Sequence, residues 1–265
     1  MLIRDSSLLV IVVNKVAISF FLFSILFLFG KIILGVIMEK LVYYFIYFFI
    51  FSVLGYICEV TYVYICNRKL VNRGFLHGPY IPIYGNGAIF ITLALGQCKR
   101  VILVFLGSML ICSILEYITS YVMEVIFHNR WWDYSKQKFN INGRVCLKNA
   151  LLFGIGAIAI VYLLNPIFNK FYYMIDFKIL KYICLGLMFI MGLDFVISFS
   201  EAIKLSTMME CYNKFVNGCA NIKNVKFDKF KIRLFNAYPN LILTNKKFGS
   251  FLKKNLGKFR KKINW

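Results

Sequence analysis

The chain has 265 residues, 60% of them hydrophobic and 16% charged, with a mean hydropathy of +0.72. That is more apolar than a water-soluble core of this length uses, which excludes an ordinary soluble domain and requires most of the surface to face lipid. Lys and Arg number 32 against 11 Asp and Glu, a net charge of +21. The basic residues flank apolar runs, so they read as positive-inside determinants and contacts to anionic lipid headgroups, and not as a nucleic-acid surface.

In chain order, the first apolar stretch covers residues 8–30 and carries Asn14 and Lys15 inside it. Those polar residues, with no small-residue cleavage pattern before Lys31, predict a weak membrane helix and not a cleaved signal. Met38 is followed by Glu39, Lys40 and a fresh apolar run, so residues 1–37 read as an N-terminal hydrophobic extension that forms an extra membrane helix. Residues 38–203 then form a five-helix membrane domain, and residues 204–265 a basic cytoplasmic tail.

The five spans are expected over residues 41–66, 83–98, 101–127, 147–168 and 182–203, each close to the roughly 20 residues needed to cross hydrocarbon. The fold class is therefore all-α: a polytopic bundle of five core spans with one further N-terminal span. Between the first two spans lies RGFLHGPYIPIYGNG, with Gly74, Gly78, Pro79, Pro82, Tyr84 and Gly85. Proline lacks the backbone donor and restricts the residue before it, so no regular helix passes through Pro79 and Pro82; an interfacial or re-entrant turn is expected. In the tail, fifteen Lys or Arg stand against Glu210 and Asp228 alone.

Counting basic residues orients the bundle. With the tail inside, the inner side holds 24 Lys or Arg and the outer side 7; the loops alone give 9 against 7. The C-terminus is thus expected in the cytoplasm, and residues 73–87 and 128–149 on that same face.

Acids placed within apolar runs crowd the same half: Glu59, Glu116, Glu124 and Asp194. A carboxylate in hydrocarbon costs several kcal/mol unless it is protonated, paired or wet, so these residues face the bundle interior. Two readings stand side by side. In one, Glu59 and Glu116 line an acidic cavity capped by the two loops; in the other, Glu59, Glu116 and Glu124 pair with Arg73, Arg130 or Arg144 and lock helices together. Within the second loop, Trp131 and Trp132 suit the membrane interface, Asp133 is placed to cap a turn or pair with an arginine, and Asn142-Gly143 signals a tight turn.

Eight cysteines without a C-x-x-C pair, and two histidines, His77 and His128, give no disulfide or zinc framework, so neither a metal nor a cofactor is expected. No G-x-x-x-x-G-K-[ST], H-E-x-x-H or G-x-S-x-G motif is present, so the chain is not expected to hydrolyse ATP.

The order GYICE (55–59), NRGFLHGPYIPIYG (72–85), LEYITSYVMEVIF (115–127) and RWWDYSKQKFNINGRVCL (130–147) resembles the ABC-transporter type IV family of CmpB-like bacterial membrane proteins, over residues 40–200. The chain departs from that family in Tyr56, where a Trp is common, and in Ala150, where a small hydroxyl residue is frequent. The resemblance implies a permease-like subunit of about five helices in the bacterial cytoplasmic membrane, with a separate ATPase subunit docking on residues 128–149. The alternatives are a membrane-embedded enzyme or binding protein for a lipid or amphiphile, built on Glu59, Glu116, Arg130, Asp133 and Arg144, or a scaffold whose basic tail holds anionic lipid.

Overall fold

The computed structural model describes residues 35–66, 68, 71–128 and 130–216, with side chains as far as Ser206. The expected helix over residues 8–30 and most of the basic tail lie outside the described residues. Two units are distinguished, Met1–Phe45 and Ile46–Trp265. Of the first, Gly35–Phe45 is described and is helical; every contact below belongs to the second.

The elements are α1 (Gly35–Cys66), an irregular segment over residues 71–81, α2 (Pro82–Leu95), α3 (Val101–Phe127), a polar loop over residues 128–146, α4 (Leu147–Ala159), α5 (Asn165–Met174) and α6 (Phe177–Val216). The polar loop contains the antiparallel pair β1 (Asn140–Ile141) and β2 (Val145–Cys146), with Ile141 opposite Val145. The fold is therefore an all-helical membrane bundle with a minimal hairpin. Among the described residues, four helical stretches are long and apolar enough to cross a bilayer: Gly35–Cys66, Val101–Phe127, Leu147–Met174 and Phe177–Ser206.

The bundle presents large aliphatic side chains outward and places small and polar residues among the apolar ones within. On α3 the buried positions Val104, Ser108, Cys112, Glu116 and Ser120 recur every four residues, so they form one stripe down one face. Leu103, Leu106, Leu110, Ile114 and Ile118 are exposed. Small and polar residues between helices, with large aliphatics outward, are what lipid rather than water demands of a surface.

The expected span over residues 83–98 is a 14-residue helix, about 21 Å long, which falls short of a hydrocarbon layer of about 30 Å. Residues 71–81, which are irregular, lead into it. Ile81 N–H donates to the carbonyl of Ser52, 3.0 Å away in the middle of α1. The end of the irregular chain thus reaches α1 midway along its length before Pro82 opens α2, a first-turn position where its lost N–H has no partner to lose. Close approach to α1 depends on two glycines. A Cβ on Gly55 would fall 2.3 Å from Cγ of Tyr84, and one on Gly85 2.4 Å from the carbonyl oxygen of Phe48.

A π-helical turn, Ile160–Leu164, joins α4 to α5. Its cause is Pro166, which cannot donate to the carbonyl four residues back and crowds it, so the helix takes a wider turn. The buried Asn165 beside it closes a polar trio: Tyr47 donates to Asn165 Oδ1 at 2.6 Å, and Asn165 Nδ2 donates to Thr92 Oγ1 at 3.1 Å. Next to this trio, Ile91, Val104, Cys112, Ala157 and Val161 make an apolar core shared by α2, α3, α4 and the π turn.

Candidate functional site

The polar residues gather at the end of the bundle where α1 and α3 finish and α4 begins. They form three groups. In the first, Glu59 of α1 pairs with Arg73, Oε1 to Nε 3.5 Å, while Glu59 Oε2 accepts the hydroxyl of Tyr84 at 2.8 Å. Glu116 of α3 lies within electrostatic reach of Glu59, yet pairs with no arginine among the described residues. Its Oε1 accepts the Tyr134 hydroxyl at 3.1 Å and Nδ2 of Asn149 at 3.4 Å. Burial, reinforced by the Glu116 charge, pushes the Tyr134 phenol well above its ordinary range, so the hydroxyl keeps its proton and stays a donor.

The second group closes the polar loop. Glu124 accepts from Arg130 Nε at 3.1 Å and from Arg144 Nη2 at 2.7 Å. Arg144 is buried, donates to Ser120 Oγ at 3.3 Å, and lies over the rings of Tyr117 and Tyr121 at 5.6 and 5.3 Å. Asn142 and Gly143 both have positive φ, 51° and 68°, which places a tight turn where the Asn-Gly signal predicted one. Asp133 Oδ1 accepts from the backbone N–H of Ser135 at 3.0 Å and from its hydroxyl, a side-chain-made turn. These bonds from Ser135 hold the Asp133 carboxyl below its usual range, against a smaller opposing effect of burial and with help from Arg130 and Lys136.

The third group ties the irregular segment to α6. Asp194 accepts the backbone N–H of His77 at 3.0 Å and of Gly78 at 2.8 Å, the Tyr80 hydroxyl at 2.6 Å and the Ser198 hydroxyl at 3.0 Å. His77 Nδ1 lies 3.1 Å from Asp194 Oδ1 and 2.8 Å from Ser198 Oγ. Irregular backbone at membrane depth is tolerated only where its donors are met by protein or water, and Asp194 meets two of them.

Residues 46–199 match the family described as Putative ABC-transporter type IV. The chain belongs to that family. No curated protein and no solved structure matches it. The stretch of this type IV chain that matches takes in Glu59, Arg73, Glu116, Glu124, Arg130, Arg144 and Asp194, so all three groups lie within the family's extent.

Of the arginine pairs weighed for the acids, Glu59 and Glu124 make theirs, whereas Glu116 makes none among the described residues. Trp131 is not presented to the interface. It is 4% exposed and packs edge-on to Phe75 and Phe127, each at 5.3 Å between ring centres. Trp132 donates its indole N–H to the Arg144 carbonyl at 3.1 Å and pins the loop. Gly74, Gly78 and Pro79 shape the irregular segment; Pro82, Tyr84 and Gly85 begin α2. Sequence reasoning missed Tyr134 and Asn149 as partners of Glu116, and His77 and Ser198 as partners of Asp194. The usable signal was general: a donor-rich Gly-Pro segment needs an acceptor, and a mid-helix Asp needs donors.

Proposed function

We propose that the chain is a permease-like subunit of a transporter whose ATPase is a separate polypeptide docking on the polar loop over residues 128–146. Membership of the ABC-transporter type IV family carries this reading, and the absence of a phosphate-binding glycine loop from the sequence requires the nucleotide to be bound elsewhere. The loop has the character of a docking element. Its base is fastened by Glu124 between two arginines, and its tip carries Phe139 and Ile141, 78% and 60% exposed, beside exposed Lys136 and Lys138. Apolar side chains on a braced turn, ringed by charge, suit a protein partner. On this reading the loop and the basic tail are cytoplasmic, the membrane is the bacterial inner membrane, and the tail contacts anionic lipid headgroups.

The test is purification of tagged full-length chain from its native membranes in mild detergent. A stoichiometric ATP-hydrolysing protein is expected with the wild type and is lost, at unchanged yield of the chain, in Phe139→Asp. A chain that purifies alone, or that turns over a lipid without ATP, overturns the proposal.

A further inference from the structure

We propose that Glu116, together with Glu59 and the hydroxyls of Tyr84 and Tyr134, binds one monovalent cation: an alkali ion or the ammonium head of a small amine. Glu116 is 6% exposed. Its Oε1 is satisfied by Tyr134 and Asn149, but its Oε2 is buried and meets no hydrogen-bond partner among the described residues. A buried oxygen left so is costly, and each such group calls for an explanation such as an ion.

Charge decides the kind of ligand. Arg73 opposes Glu59, and both Arg130 and Arg144 are directed at Glu124, so no described Lys or Arg comes within ion-pair distance of Glu116. With Glu59 and Arg73 cancelling, one negative charge is left over. The proposed ligand atoms are oxygens, from carboxylates and from phenols that donate their protons to those carboxylates and keep lone pairs free, with Asn149 Nδ2 beside them as a donor to Glu116 Oε1. Oxygen ligands suit hard cations and ammonium groups. A divalent ion would need more carboxylate than is present, since among the described residues no three His, Cys, Asp or Glu side chains gather as a metal site. Tyr134 belongs to the polar loop and Tyr84 to α2, so the bound charge would be held from loop and bundle together. The inference stands whether or not an ATPase docks on that loop.

The experiment uses purified full-length chain in detergent at pH 8, with choline chloride replaced stepwise by sodium, potassium or methylammonium chloride at constant ionic strength. Thermal unfolding is followed by tryptophan fluorescence. A saturable rise in Tm with at least one of the three is expected, and which salt acts separates an alkali ion from an ammonium group. In Glu116→Gln the apparent affinity falls at least about 10-fold, and Tyr134→Phe weakens it less, since the carboxylate remains. No saturable response of the wild type to any of the three overturns the proposal, and so does a response that Glu116→Gln retains. The wild-type titration decides even if a variant fails to fold.

Discussion

At Gly143 the backbone stands at φ +68°, and a Cβ there would fall 2.4 Å from Ser135 Oγ and 2.5 Å from Asp133 Oδ1. Two separate penalties, left-handed backbone and a collision with the side-chain-made turn, bear on one atom. Gly143→Ala is therefore expected to lower stability by about 1–3 kcal/mol, read as a drop in Tm in detergent, and an unchanged Tm would show that the turn is not held. Asp133 adds a pH dependence to the same loop. Its folded-state pKa lies below its unfolded value, so the folded loop binds fewer protons; its contribution is complete above the ordinary carboxylate range and is lost as pH falls through the folded value. The side chain is mostly in water, so the effect is small. Tryptophan emission from Trp131 and Trp132 should shift on acidification through that range, and Asp133→Asn should flatten the shift. Both features were visible as Asn-Gly and as an Asp before Ser, because turn chemistry is local.

The irregular segment over residues 71–81 was legible only in part. Pro79 and Pro82 excluded a regular helix, but nothing in the local sequence joins Gly78 to Asp194, 116 residues further on. Long-range partners are chosen by packing, which no single segment encodes. For the same reason Trp131 reads as an interface residue from its neighbours in sequence, while Phe75 and Phe127 bury it in the fold. Asp194 is expected to be the fastening point of the segment. Asp194→Ala leaves two backbone donors without an acceptor, each worth about 1–3 kcal/mol, while Asp194→Asn keeps an oxygen in place. Hydrogen exchange at residues 75–81 should rise sharply in Asp194→Ala and less in Asp194→Asn; equal protection in all three proteins would show that the segment is held by other contacts. Gly85→Ala tests the opposite wall. The backbone oxygen of Phe48 cannot move aside as a side chain would, so α2 must retreat from α1 at a cost of about 1–3 kcal/mol.

Hydrophobic length and charge placed α3 correctly to the residue, because a lipid-facing helix is nearly uniform in hydropathy and its ends are marked by Arg100 and His128. Length alone does not place α2, whose 14 helical residues fall short of a hydrocarbon layer of about 30 Å and are preceded by irregular chain. Residues 71–81 meet the α3 end at Phe127, and α2 returns to the end where α3 starts. Residues 99 and 138 are then separated by the full length of α3, 27 residues or about 40 Å. In a background with its eight cysteines replaced, Lys138→Cys is expected to react with a membrane-impermeant maleimide only after the cells are permeabilised. Lys99→Cys and Lys178→Cys are expected to react in intact cells, since the helix from Leu147 to Met174 carries the chain back across before Lys178. Reversed labelling would invert the orientation and move the polar loop to the outside, where no ATPase could reach it. Labelling of all three from one side would mean that α3 does not cross, and the inside-out polarity of its two faces would then need another cause.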